Sequence, residues 1–301
     1  MIAFLALSPS LDITYEVPEL AFGSIARPTG VTRVAGGKAL NAARVAKSLG
    51  AEVSTVVALG GGVGSWVRRL LEEDGVDAEF VGLEAPARTC LAIVKDAEST
   101  QSTDVYEPAS PLTALEWAAY QRAAEVLVLR RRPAFVALAG SLPAGVPPDE
   151  AASLLRRLRE SGARVVVDGS GPGLRATARE ADLVKINRFE ASELLGQEQP
   201  DAITACRSLR EVHGIDSIVT DGIRGAAASL GGRDELVPPP TARGRFPAGS
   251  GDAFLGGVLT ALDRGLDATQ ALRLGAGAAE RNALIPGQGR LAAVAASATR
   301  A

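Results

Sequence analysis

Six short stretches of this chain are apolar or β-branched without a polar residue at every second position: IAFLAL (2–7), EVSTVVAL (52–59), FVALAG (135–140), RVVVD (164–168), DLVKIN (182–187) and SIVT (217–220). A strand with one wet face alternates, whereas a run that does not alternate is buried on both faces. Such strands need helices above and below them. Helical patterns fall between the runs, at 38–50, 66–75, 149–162 and 203–214, and several close on glycine, the usual left-handed cap. The pattern specifies an α/β chain whose mostly parallel central sheet carries helices on each side.

Two regions break this pattern. LDITYEV (11–17) and VTRVAG (31–36), then RTCLAIVKD (88–96) and TDVYE (103–107), alternate polar and apolar residues with no helix between the members of each pair. They predict a small antiparallel sheet, inserted at about 11–36 and 88–107 into a single domain spanning 1–301. A one-sided sheet beside an α/β core serves as a lid or as a dimer surface.

Composition narrows the function. With 47% hydrophobic and 22% charged residues the chain reads as globular and soluble, and 301 residues are ample for a buried core. A net charge of −3 gives no electrostatic case for nucleic acid. Cys90 and Cys206 cannot build a disulfide framework and suit a reducing cytoplasm. The N-terminal apolar run lacks a basic flank and meets Asp12, so it reads as a buried first strand rather than a signal peptide. No apolar run approaches the roughly 18 residues of a membrane span.

In a doubly wound sheet, ligands bind beyond the carboxyl ends of the strands. There this chain places Gly140 and Ser141, Asp168, Asn187 and Glu190, and Thr220 with Gly222 and Gly225. In AGGKALNAA (35–43), Gly36 and Gly37 permit close backbone approach to a ligand, and Lys38 and Asn41 lie one turn apart on the new helix. Ala39 follows Lys38, so this is not a P-loop. Only Lys38, Lys47, Lys95 and Lys185 are lysines among 32 basic residues, a bias that most simply reflects genome composition and leaves each lysine a candidate for a role that arginine cannot fill. Asn187 and Glu190 could hold a hydrated Mg²⁺ through its waters, or simply cap a helix. GGGVG (60–64) mimics a dinucleotide fingerprint without being a clean GxGxxG. The sole histidine, His213, reads as a solvated helix end, and RRR (130–132) as a surface loop. In PAGSGDAFLGG (247–257), Gly249, Ser250 and Gly251 expose consecutive backbone N–H groups at a helix start and invite an anion. Asp252 is there either a first-turn acid, worth roughly 0.3–1 kcal/mol, or a carboxylate facing a substrate.

Taken together these stretches resemble the PfkB (ribokinase-like) carbohydrate kinase family over about 250 residues. The GGKGxNxA signature corresponds to Gly36 through Ala43, SGSLPPG to Ala139 through Gly145, KPNxxE to Lys185 through Glu190, and GAGD to Gly249 through Asp252. The resemblance implies a ribokinase-like three-layer α/β/α fold with a small β-sheet lid, and ATP and Mg²⁺ as cofactors. It makes Asp252 the base that takes the sugar hydroxyl proton, and Gly249, Ser250 and Gly251 the anion hole. Asn187 and Glu190 become the Mg²⁺ site. Lys185, Asn187, Thr220, Gly222, Gly225 and Asn282 surround the nucleotide, and Gly36, Gly37, Lys38, Asn41 and Ser141 the substrate. Because a helix N-terminus lowers a carboxylate's pKa, Asp252 is expected to be a weak base that acts only as the hydroxyl bonds to phosphorus.

SPSLDITYEV resembles the NPSxDxT opening of the 1-phosphofructokinase, tagatose-6-phosphate kinase and minor 6-phosphofructokinase branch, placing Asp12 on sugar hydroxyls. Arg88 matches that branch's TRxN arginine, which reaches the substrate phosphate, and TDVYEPASP resembles TEINEPGP. The implied reaction is phosphorylation of a ketohexose phosphate, fructose 1-phosphate above tagatose 6-phosphate, fructose 6-phosphate or a free sugar or nucleoside. The branch also implies a homodimer through the lid. Departures are Ala39 for glycine, Ala139 for serine, no lysine in the first lid strand, and Phe246-Pro247 where ribokinases carry Asp-Thr. A nicotinamide-dependent oxidoreductase would instead need GGGVG as its fingerprint, and a silent sugar-binding relative would have no use for Asp252.

Overall fold

The computed structural model describes residues 1–95, 102–241 and 244–293. β1 (Ile2–Ala6) is buried along its whole length, as its unbroken apolar run requires. The chain then leaves the main sheet as β2 (Ser10–Val17) and β3 (Gly30–Gly36), and returns through α1 (Lys38–Ser48), β4 (Val53–Gly60), α2 (Gly61–Glu73) and β5 (Asp77–Leu83). It leaves a second time as β6 (Arg88–Lys95) and β7 (Ser102–Tyr106). There follow α3 (Ala114–Arg131), β8 (Phe135–Ala139), α4 (Pro148–Glu160), β9 (Arg164–Asp168), α5 (Gly171–Thr177), β10 (Leu183–Asn187), α6 (Arg188–Leu195), α7 (Ala202–His213) and β11 (Asp216–Thr220). The hairpin β12 (Ala226–Leu230) and β13 (Arg233–Val237) precedes α8 (Ser250–Asp263) and α9 (Ala268–Ala283).

The described strands of the main sheet run in the order β13-β12-β11-β10-β9-β8-β1-β4-β5. Their pairings are parallel except those of β12 with β11 and β13. Because successive side chains point to opposite faces, each run feeds two cores. Ala3 and Leu5 pack with Trp117 and Tyr120 of α3 and Leu155 of α4. Ile2 and Phe4 pack with Leu40 of α1, Leu71 of α2, and Phe254 and Leu255 of α8. The lid contributes Leu11, Ile13 and Ala35 to this second core, which ties the small sheet to the large one. None of the described helices is long and apolar enough to cross a membrane.

The lid strands lie where alternation puts them, in the order β3-β2-β6-β7, with Asp96 of the expected third run outside the described residues. The sheet is not wholly antiparallel: β2 pairs β3, and β6 pairs β7, antiparallel, but β2 and β6 run parallel. Parallel neighbours need a long crossover, and the excursion through β4, α2 and β5 supplies it.

α2 also begins five residues ahead of the expected position 66, at Gly61, so GGGVG spans a strand end and the first turns of a helix. A Cβ on Gly60 would lie 2.1 Å from Ala85 O and 2.3 Å from Leu83 O, so the crossing chain explains the glycine without a dinucleotide. Arg130 and Arg131 are exposed on the last turn of α3 and Arg132 is its left-handed cap, so RRR ends a helix rather than forming a loop. His213 is exposed at the end of α7 ahead of the left-handed cap Gly214, as expected.

Candidate active site

Strand order reverses at β1, with β4 on one side and β8 on the other, and ligands bind at such switch points. The carboxyl ends of these strands meet closely: a Cβ on Gly140 would lie 3.2 Å from Ser8 Oγ, and Gly140 N donates to Asp168 O at 2.8 Å. α1 and α8 start beside this point and bring Asn41 and Asp252 together.

Asp252 is the third residue of α8, whose N-cap Gly249 is left-handed (φ 81°) and receives no side-chain cap. Its carboxylate accepts from Asn41 Nδ2 at 2.9 Å. Asp252 is thus a first-turn acid whose carboxylate is engaged by another helix. Burial, and then the charge of Asp168, push its pKa up to about 6 against the opposing pull of Lys38, Lys185 and Asn41. The depressed value expected from the helix N-terminus is overturned, because desolvation outweighs the helix dipole here.

Two of the scarce lysines meet on one buried carboxylate. Lys38 Nζ donates to Asp168 Oδ1 at 2.7 Å and Lys185 Nζ to Oδ2 at 2.6 Å, and the Asp168 side chain is fully buried. Burial opposes the Asp168 charge, but Lys185 and Lys38 hold its pKa below the ordinary value. Burial likewise opposes the Lys38 charge, and Asp168, Glu190 and Asp252 raise its pKa above that of a free lysine. A Cβ on Gly251 would lie 3.1 Å from Lys185 Nζ, so an ammonium group stands against the glycine-rich helix start.

Glu190 links this cluster to α6. Its Oε1 accepts from Lys38 at 3.3 Å and its Oε2 from Asn187 N at 2.8 Å, while Asn187 Oδ1 accepts from Glu190 N at 2.9 Å. The capping box is thus real. Thr220 is the register partner of Asn187 on the neighbouring strand and shares this corner. Gly222 is exposed in the turn that follows, whereas Gly225 is buried, a Cβ there lying 2.3 Å from Val237 O.

On the lid side, Asp12 is buried and accepts from Ser10 Oγ. Burial raises its pKa against the pull of Ser10, the Gly37 amide, Arg44 and Arg88. The glycines beside it answer to the protein itself. A Cβ on Gly36 would overlap the Asp12 carboxyl at 1.9 Å, and one on Gly37 (φ 95°) would lie 2.9 Å from Ser8 O. Arg88 donates to Ser8 O and Glu107 O at 3.1 and 3.2 Å, leaving its buried Nε without an acceptor.

Asn282 is buried, with Nδ2 donating to Ala248 O and Ser250 Oγ at 2.9 and 3.2 Å and Oδ1 accepting from Gly289 N at 2.8 Å. Its amide braces the start of α8 and presents no open edge to a base. Ser141 is exposed beyond β8 and, like Gly222, stands outside this bonded network. Sequence reasoning noted Asp168 only as a strand-end residue, although it holds both lysines. It passed over Arg44, whose signal was a lone arginine in the apolar stretch ALNAARVA, and Gln288.

A family model for pfkB family carbohydrate kinases matches residues 7–288. The chain belongs to that family. Solved structures similar to this pfkB-family kinase include phosphofructokinase-2 from Escherichia coli in complex with potassium (26% identity, 96% of this chain and 94% of that chain, TM-score 0.85). The same enzyme in complex with fructose-6-phosphate gives 25% identity, 93% and 92% coverage, and a TM-score of 0.83. A possible 1-phosphofructokinase from Thermotoga maritima, at 19% identity over 93% and 91% of the chains with a TM-score of 0.83, shares the fold.

Proposed function

We propose that this carbohydrate kinase transfers the terminal phosphoryl group of ATP to a hydroxyl of a phosphorylated ketohexose. The observation that carries the reading is Asp252, a buried carboxylate with pKa about 6 at a glycine-rich helix start, flanked by the cluster of Lys38 and Lys185. A base of that strength is mostly ionised at neutral pH and takes the hydroxyl proton as the oxygen bonds to phosphorus. The backbone N–H groups of Gly249 and Gly251 and the Lys185 ammonium favour the anionic phosphoryl group, whereas the Ser250 N–H donates to Pro247 O at 3.2 Å. On this reading Thr220 and Gly222 would border the nucleotide, and Lys38, held on Asp168 and Glu190 but 35% exposed, is free to swing to a transferring phosphate.

For Mg²⁺ the donor set is informative. Among the described residues there is no group of three His, Cys, Asp or Glu that could hold a metal ion. Mg²⁺ keeps several waters, and each carboxylate oxygen has a second lone pair beyond the capping box. Glu190 and Asn187 therefore suit the waters of a hydrated ion rather than the ion itself. When bound, such an ion would neutralise charge on the phosphate oxygens.

Fructose 1-phosphate is the acceptor we favour, from the SPSLD opening and Arg88, whose free Nε–H could take a phosphate oxygen. Fructose 6-phosphate is the second reading, supported by the phosphofructokinase-2 complex at 25% identity. ADP release measured against ketose phosphates, free sugars and nucleosides separates them, and a preference for free ribose or adenosine would defeat both. Arg88→Ala should raise KM for the ketose phosphate at least about tenfold with a smaller change in kcat, since hydrogen bonds to charged groups are worth about 1.5–3 kcal/mol. An unchanged KM would remove Arg88 from the phosphate.

We also place a homodimer contact on the lid face that carries Val31 and Val105, 41% and 55% exposed, with half-buried Tyr15 and Ile93 between them. Sedimentation velocity should give a dimer that Ile93→Glu and Val105→Asp convert to a monomer. A monomer before substitution would refute the contact.

A further inference from the structure

Beneath the Asp252–Asn41 pair lies an arginine that the phosphoryl-transfer chemistry does not use. Arg44, one turn after Asn41 on α1, is only 5% exposed. Its guanidinium is held on three sides: Nε donates to Asp74 Oδ2 at 2.7 Å, Nη1 to Gln288 O at 3.0 Å, and Nη2 to Ala35 O. The remaining contact is Nη1 to Asn41 Oδ1 at 3.3 Å. Asn41 is 1% exposed, and on its other side Nδ2 donates to Asp252 Oδ2 at 2.9 Å and lies 3.4 Å from Gln288 Oε1. Gly289 closes over this point, where a Cβ would lie 2.7 Å from Asn41 Cα and 3.0 Å from Arg44 Nη1.

A carboxamide has two ends that differ only in what they donate or accept. Turned over, Asn41 would set its oxygen against the Asp252 carboxylate and its NH₂ against a guanidinium that has five donors and no acceptor. Both contacts would be repulsive. With the amide turned as it is, both are hydrogen bonds. We infer that Arg44 is a positioning residue: anchored on Asp74 and two backbone carbonyls, it fixes the Asn41 amide with Nδ2 toward Asp252 and so sets the direction of that carboxylate.

The inference rests on Asp252 being the base. Other groups act on Asp252 as well: Asp168 of β9, Lys38 of α1, Lys185 of β10 and the Tyr106 phenol of β7, whose pKa is raised by burial and by carboxylates that include Asp252. None of them touches the Asn41 amide, so an Arg44 effect that travels through Asn41 can be separated from theirs.

The test is a double-mutant cycle on kcat. Arg44→Lys retains the charge but, as a single point donor, cannot serve Asp74, two carbonyls and Asn41 together. It should lower kcat about tenfold in the parent with KM little changed, and less than about twofold in an Asn41→Ala background. Without the donated hydrogen bond, the acid limb of the pH–rate profile should move upward, as loss of a bond to the charged form raises a carboxylate pKa. An equal factor in both backgrounds, or a folded Arg44→Lys with parental kcat, overturns the inference. If Arg44→Lys does not fold, Asp74→Asn, at a side chain 33% exposed, loosens the anchor more gently. It must show the same non-additivity with Asn41→Ala, and additivity there overturns the inference equally. Asp252→Asn separates the two levels: full activity in that variant sinks the base itself. An inactive Asp252→Asn beside additive Arg44 and Asn41 effects sinks only the role given to Arg44.

Discussion

Asp252→Asn should lower kcat by about 10³-fold or more while leaving KM for both substrates within a few-fold. General-base catalysis contributes about 10²–10⁴, and the amide cannot accept the hydroxyl proton. In the parent, kcat/KM should fall as pH drops below about 6, the value to which burial and Asp168 push the Asp252 carboxyl. The same substitution should stabilise the ligand-free protein. The sign follows from the two states: the folded pKa, about 6, lies above the ordinary 3.8. Below 3.8 both states are protonated and the carboxyl costs nothing. Between the two values the unfolded chain ionises while the folded one keeps its proton. Above about 6 the cost is fully present, about 3 kcal/mol at roughly 1.4 kcal/mol per pKa unit. Urea titrations at pH 7.5 and about pH 3 should therefore show Asp252→Asn more stable than the parent at the first and equal to it at the second. Full turnover in the variant would remove Asp252 from the chemistry, and equal stability at both pH values would mean that the carboxyl is not held out of water.

Asp168→Asn should be the most damaging single change to the fold near the site. The Asp168 side chain is fully buried between two ammonium groups, and that of Lys185 is only 5% exposed. Removing one partner of a buried ion pair costs about 3–5 kcal/mol, because the charge left behind has nowhere to be solvated. Lys38, at 35% exposed, can turn to water and to Glu190, so most of the damage falls on Lys185. A loss under about 1 kcal/mol in urea at pH 7 would mean that Lys185 is not confined. The pH dependence runs opposite to that of Asp252: Asp168 has its pKa lowered in the folded state, so its contribution is complete above the ordinary carboxylate range and disappears as pH falls through the folded value. In any folded Asp168→Asn protein the acid limb of activity should also move down, since Asp168 raises the pKa of Asp252.

How much of this was legible in the sequence depended on the kind of signal. Buried parallel strands announce themselves by failing to alternate, so β1, β4, β8, β9, β10 and β11 lay where the apolar runs put them. α3 gave no such signal: it buries Trp117 and Tyr120 yet leaves Leu115 and Leu129 exposed, which blurs any apolar stripe. The parallel pairing of β2 with β6 could not be read from strands 70 residues apart, because direction across a sheet is set by the route taken between them. At the site, residue types and spacing picked out Asn187, Glu190, Lys38, Lys185 and Asp252. What they could not supply was burial. The raised pKa of Asp252 and the lysine pair on Asp168 arise from residues far apart in the chain and deprived of water together.

The partnership of Asn41 with Asp252 spans 211 residues. The N-terminal ammonium likewise pairs with Asp263 at 2.6 Å, and α1 packs on α8. A chain still being made on a ribosome therefore has its first strand, its lid, Lys38 and Lys185 available long before Asp252. Until α8 emerges, the face of β1 and α1 that receives Phe254 and Leu255 has no cover, which makes the incomplete chain prone to association. The Asn41–Asp252 pair therefore forms late and all at once. A product truncated before residue 250 should be both inert and sticky, and the cell would have reason to hold such nascent chains on a chaperone until α8 and α9 close over them.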